Sequence, residues 1–121
     1  TVVGVTPAIL LDDERPHRAL TRLEVVADLA TRKQRMFELS EAIIVLPGGT
    51  GTLNEALEAI TLKRLAVITH PIVLINTDGY FDSLLQLLQR MVAQGFADPA
   101  QFELLQVVEN PGAALFALAP H

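Results

Sequence analysis

The sequence predicts an α/β protein built on a parallel sheet, and three observations predict it. The run Ala42-Ile-Ile-Val-Leu-Pro-Gly-Gly-Thr-Gly-Thr-Leu-Asn-Glu55 is a buried-type strand that enters a glycine-rich turn and then a helix. A second fully apolar strand, Ile72 to Ile75, follows that helix. Both strands are too apolar to alternate, as expected of strands covered on both faces by helices. Strand segments also alternate with helical ones along the whole chain. Together these make a Rossmann-like three-layer fold, read as one domain over residues 1–121.

In chain order, Val2 to Val5 reads as a short strand, and Pro7 to Pro16 as a loop carrying the acidic run Asp12-Asp13-Glu14. Leu23 to Ala27 is a second strand, ending at Asp28. Residues 29 to 40 read as a helix, with Leu29, Lys33, Met36 and Phe37 on one stripe. Ile43 to Leu46 is the next strand. The helix after it spans Thr52 to about Leu65, with Leu53, Ala56, Leu57 and Ile60 toward the core. Asn76-Thr-Asp-Gly79 is the turn after the Ile72 strand, and Tyr80 to about Gln94 is an amphipathic helix stopped by Gly95. Leu104 to Val108 is a last strand. Residues 111 to 119 form a short helix with Pro111 near its start.

Composition narrows the function. A chain of 121 residues, half of them hydrophobic and 19% charged, is globular. No apolar run approaches the roughly 18 residues needed to span a bilayer, and no signal peptide is visible. The chain has no cysteine, which removes disulfides, thiolate catalysis and thiolate metal sites and fits a reducing cytoplasm. A net charge of -5 argues against nucleic-acid binding, which needs a cationic surface. It leaves room for one bound phosphate, held by backbone N–H groups and a cation or two. Lys33 and Lys63 are the only lysines, a thin supply for a pyridoxal-phosphate enzyme. The histidines are scattered, and neither a metal site nor a serine triad is found.

The chemistry concentrates in two places. Gly48, Gly49 and Gly51 let backbone approach a ligand and permit positive φ, unpaired N–H groups at the helix start point at an anion, and Thr50 and Thr52 add hydroxyls. A bare turn needs fewer glycines, so phosphate binding is the stronger reading. No Gly-Lys-Ser/Thr follows, so this is not a Walker loop. Glu55 is expected in the first helical turn. Thr52-Leu-Asn-Glu55 also fits a capping box, and spacing alone leaves capping and catalysis both open. Glu58, one turn on, reads first as a solvated helix position. Arg32 and Lys33 open the helix after Asp28 near the strand tips, where Lys33 interrupts the apolar stripe and Arg32 can fork to a carboxylate or phosphate.

Three stretches together resemble the Lonely Guy (LOG) family of nucleoside 5′-monophosphate phosphoribohydrolases, often mislabelled lysine decarboxylases. Pro47 to Glu55 matches P-G-G-x-G-T-x-x-E, Arg32-Lys33 with Met36 matches R-K-x-x-M, and Asn76-Thr-Asp-Gly-Tyr80 resembles N-x-D-G-Y/F. Leu29 and Ala30 stand where the family has Met-His. The family's N-terminal strands and first glycine-rich loop have no counterpart here, so an N-terminal segment is expected to be missing. The resemblance implies hydrolysis of a cytokinin ribotide or AMP to free base and ribose 5-phosphate, with no cofactor. It implies Arg32 and Glu55 as the catalytic pair, phosphate held by Gly48, Gly49, Thr50, Gly51 and Thr52, and Lys33 and Thr61 lining the site. It also implies a homodimer or larger homo-oligomer. The alternative on this fold is a non-catalytic nucleotide or molybdenum-cofactor carrier, which would bind without releasing base.

Overall fold

The computed structural model describes residues 1–11 and 16–120, so the acidic run Asp12-Asp13-Glu14 lies outside the described residues. The fold is α/β, and every strand pairing is parallel. The chain forms two compact units, Thr1–Ser40 and Glu41–His121.

In the first unit, β1 (Val3–Pro7) pairs with β2 (Arg22–Val26) in a register running from Val3 opposite Arg22 to Pro7 opposite Val26. The following helix, α1 (Leu29–Leu39), starts where it does because Asp28 caps it. Asp28 Oδ1 accepts from the Thr31 N–H at 2.7 Å, supplying one of the acceptors a helix start lacks. Helix and strand are then tied by a forked ion pair. Arg35 Nε donates to Glu24 Oε2 at 2.6 Å and Arg35 Nη2 to Glu24 Oε1 at 2.9 Å. The Arg35 guanidinium lowers the Glu24 pKa, and the Thr31 backbone N–H lowers that of Asp28.

These two shifts have a stability consequence with a definite sign. A carboxyl whose folded pKa is depressed adds stability above its unfolded value, and that stability drains away as pH falls through the folded one. Wild-type protein is therefore expected to lose stability as pH drops below 4.5, the ordinary Glu value. Glu24→Gln should lose less over the same range. Thermal unfolding at neutral and acid pH, followed by circular dichroism, checks this.

In the second unit, β3 (Ile43–Val45), β4 (Ile72–Ile75) and β5 (Gln106–Val108) form a three-stranded sheet with β4 in the middle. All four residues of β4 are buried, and a strand's side chains alternate faces, so both faces of β4 are covered. Val73 and Ile75 pack on Ala114 of α4 (Pro111–Leu118), joined by Val108 and Leu118. Val107 pairs with Leu74 and so shares the opposite face, where it lines a pocket together with Ile60 of α2 (Thr50–Arg64) and Leu85 and Leu88 of α3 (Asp82–Ala93). Helix, sheet and helix thus make three layers here. Each fully buried aliphatic side chain contributes about 1.5–3 kcal/mol.

Several boundaries differ from expectation. Ile44 on β3 is 41% exposed and Leu46, just past its end, is 56% exposed, so this strand is not covered on both faces as β4 is. On α2 the buried residues are Ala56, Ala59 and Ile60, while Leu57 is exposed. Leu104 belongs to a 3-10 helix, Pro99–Leu104, so the last strand starts at Gln106. Asp98 Oδ1 accepts from the Ala100 N–H at 2.8 Å and Pro99 has its φ fixed by its ring, which together favour a helical turn over an extended chain. α3 ends as expected: Gly95 has φ +82°, and the N–H groups of Gly95 and Phe96 reach back to Val92 and Met91 carbonyls at 3.1 and 2.8 Å.

α2 ends in the same hydrogen-bond pattern but with an alanine at the left-handed position. Ala66 has φ +58°, with its N–H on Lys63 O at 3.0 Å and the Val67 N–H on Leu62 O at 2.9 Å. A Cβ is strained in that conformation, and glycine is not. Ala66→Gly is expected to stabilise the protein by about 0.5–1 kcal/mol, a few degrees in Tm, read by thermal unfolding.

Candidate functional site

The carboxyl ends of β3 and β4 carry the glycine loop and the Asn76–Tyr80 turn, where open parallel sheets place ligands. Gly49 is the N-cap of α2, in extended conformation, and the first intrahelical bond runs from the Leu53 N–H to Gly49 O at 3.1 Å. The N–H groups from Gly49 to Thr52 therefore have no backbone partner within the helix, and the N-cap, being glycine, has no side chain to supply one. Such N–H groups and the positive end of the helix dipole favour an anion.

The three loop glycines differ in what surrounds them. A Cβ at Gly48 would lie 2.9 Å from Thr52 Cβ, so this glycine is required by packing inside the loop. A Cβ at Gly49 or Gly51 would meet nothing within 4 Å, so those two open onto free space beside the helix start. None of the three has positive φ, contrary to the conformational reason first given for them. What they leave is room rather than an unusual backbone.

Helix α2 starts two residues earlier than expected, which changes the standing of Glu55. Thr52 is the third helical residue and Glu55 the sixth, so Glu55 lies in the second turn. The capping-box reading of Thr52 and Glu55 fails, because the cap is Gly49. Glu55 is half-buried, and so is Glu58, three residues on and on the same side of the helix. Glu58 is accordingly not a fully solvated position.

The remaining expected residues are distributed as follows. Thr50 is exposed at the loop and Thr52 half-buried beneath Gly48. Thr61 is exposed, nine residues beyond Thr52 and about half a revolution round α2 from it, with its hydroxyl donating to Leu57 O at 2.9 Å. This chain does not bring Thr61 to the glycine loop. Arg32 and Lys33 are half-buried in the first turns of α1, in the first unit.

The sequence reading missed the part played by the Asn76–Tyr80 turn. The Tyr80 hydroxyl donates to Gly48 O at 2.5 Å, across 32 residues of chain. Asn76 fixes the turn from both ends of its amide: Oδ1 accepts from the Phe81 N–H at 2.7 Å, and Nδ2 donates to Asp82 Oδ1 at 2.8 Å. Asp78 and Gly79 both take left-handed φ, +51° and +71°. The Asn-x-Asp-Gly-Tyr pattern was the available signal. A groove of about 640 Å³ lies beside this turn, lined by Asn76, Asp78, Asp82, Glu109 and Asn110 among others. Its acidic lining disfavours phosphate.

Comparison with known proteins agrees with this geometry. The family model described as "Possible lysine decarboxylase" matches residues 1–118. The chain is 38% identical to the "Probable cytokinin riboside 5'-monophosphate phosphoribohydrolase LOG4" of Oryza sativa subsp. japonica over 117 residues, 97% of this chain and 51% of that protein. It is 39% identical to the cytokinin riboside 5'-monophosphate phosphoribohydrolase LOG3 of Arabidopsis thaliana, over 86% of this chain and 48% of that protein. It is 41% identical to LOG7 of the same plant, over 90% of this chain and 50% of that protein. The chain thus spans about half the length of the curated relatives it matches. Motifs, parallel α/β architecture and these matches agree, and the chain belongs to the LOG family, whose family model carries the lysine decarboxylase description.

Proposed function

We propose that the protein hydrolyses the N-glycosidic bond of a nucleoside 5′-monophosphate, a cytokinin ribotide or AMP, to free base and ribose 5-phosphate. The observation that carries this reading is the glycine-led start of α2, with open space at Gly49 and Gly51, followed one turn later by Glu55. The similarity to proteins named as phosphoribohydrolases supports it.

In this reading the 5′-phosphate sits on the N–H groups of Gly49 to Thr52, with the Thr50 and Thr52 hydroxyls beside it. Phosphate binding anchors the ribose, so binding energy remote from the reacting bond supports the chemistry. Breaking the bond leaves positive charge spread over the anomeric carbon and ring oxygen. The Glu55 carboxylate stabilises that charge and orients or activates the attacking water, as carboxylates do in glycosidases. The resemblance to the family adds Arg32 as the second member of the catalytic pair and Lys33 as a further cation of the site. The two units are parts of one nucleotide-binding domain, the working form is at least a homodimer, and the compartment is the cytoplasm. No helix among the described residues is long and apolar enough to cross a membrane.

The phosphate anchor makes the reading testable with two substrates. Full-length protein incubated with AMP is expected to release adenine, and the same protein with adenosine to release far less. Equal release from both would remove the glycine loop from the reaction. A phosphorylated ligand that binds and is never cleaved would favour the carrier.

A further inference from the structure

We infer that Tyr80 is a positioning residue of the phosphate loop: its hydroxyl fixes the Gly48–Gly49 peptide so that the Gly49 N–H faces the anion. The inference rests on the phosphate reading of the loop and adds the device that keeps the loop in its binding state.

The argument starts from the peptide unit. Gly48 C=O and Gly49 N–H belong to one planar trans amide, so they point in opposite directions. Whatever holds the carbonyl therefore aims the N–H. Here the holder is the Tyr80 hydroxyl, 2.5 Å from Gly48 O. A peptide between two glycines has little steric resistance to rotation, since neither neighbour has a Cβ to restrict it. Turned over, it would present the carbonyl dipole to the phosphate in place of the N–H. The tyrosine bond opposes that rotation. It also polarises the amide, which strengthens the N–H as a donor.

Tyr80 can do this only if it is itself held, and the turn that carries it is unusually constrained. The side-chain amide of Asn76 bonds both the Phe81 N–H and the Asp82 carboxylate, at 2.7 and 2.8 Å. Gly79 cannot readily be anything else, because it has φ +71° and an added Cβ would strike Asp82. The Tyr80 ring stacks edge-on against Phe81, with centroids 5.0 Å apart and planes at 86°. Phe81 is buried, so the ring is pinned at its base while its hydroxyl reaches across to the loop. The turn after β4 thus acts as a brace for the loop after β3.

Tyr80→Phe keeps the ring and its stacking and removes only the hydroxyl. A neutral hydrogen bond is worth about 0.5–1.5 kcal/mol net, which corresponds to roughly 2–10-fold in a binding constant. The test is direct binding of ribose 5-phosphate and of adenosine to full-length wild type and Tyr80→Phe, by titration calorimetry, beside steady-state kinetics with AMP. The expected result is a 2–10-fold higher Kd for ribose 5-phosphate, a matching rise in KM for AMP, adenosine affinity unchanged, and Tm lower by no more than a few degrees. A general loosening of the site would weaken adenosine as well and would overturn the inference. Equal ribose 5-phosphate affinity in the two proteins would also overturn it. Absence of base release from AMP by wild type, with the Kd difference intact, would remove the hydrolase reading and leave Tyr80 in place.

Discussion

Replacing Glu55 by glutamine is expected to abolish turnover while leaving nucleotide binding in place. The substitution preserves the shape of the side chain and removes its charge. The N-cap of α2 is Gly49 and Glu55 is the sixth residue of the helix, so Glu55 does not hold the third-residue place of a capping box. What is lost is the negative charge that stabilises the developing cation and the base that orients water. Such a group typically contributes on the order of 10²–10⁴-fold. The kcat of Glu55→Gln should fall by about that factor, with AMP affinity within about threefold of wild type by calorimetry. Full activity in this variant would end the assignment. Equal loss of activity and Tm would show a structural role instead.

The second large effect separates the loop glycines from one another. At Gly48 a methyl group would lie 2.9 Å from Thr52 Cβ, so Gly48→Ala must push the loop off the helix it starts. Overpacking of this kind costs about 1–3 kcal/mol, and both Tm and phosphate affinity should fall. Gly51 has open space and lies inside the helix, where alanine is favoured over glycine by up to about 1 kcal/mol. Gly51→Ala should therefore keep or raise Tm. Its methyl occupies space that the phosphate needs, and KM for a ribotide should rise about tenfold or more. A variant that is more stable and binds worse is the signature of a position kept open for a ligand. If Gly51→Ala bound AMP as wild type does, the phosphate would not lie at this helix start.

Much of the architecture was legible because local chemistry and tertiary context agree. The uninterrupted run Ile72 to Ile75 gave β4 and its burial on both faces. Pro111 marked the start of α4, where the Asn110 carboxamide accepts from the Ala113 N–H at 2.8 Å. Gly95 marked the end of α3. The failures have physical causes. Leu104 and Leu105 are apolar enough to read as strand, but Asp98 and Pro99 set a helical turn that runs to Leu104. Thr52 and Glu55 have capping-box spacing, but the extended backbone of Gly49 carries the chain into the helix two residues sooner. The pairing of Tyr80 with Gly48 joins residues 32 apart, and no local pattern encodes a contact of that range. The glycine loop was legible as the turn that opens α2, though its glycines do not take the positive φ expected of them. Its glycines matter for the space they leave, not for positive φ.

Cleavage rather than carriage is the central claim, and multiple turnover tests it most directly. Full-length protein is mixed with an excess of isopentenyl-adenine ribotide, and free base is quantified by chromatography over time. The account predicts free base far beyond one equivalent per protein chain, with ribose 5-phosphate appearing in equal amount. Ribotide that binds and is recovered intact would contradict it.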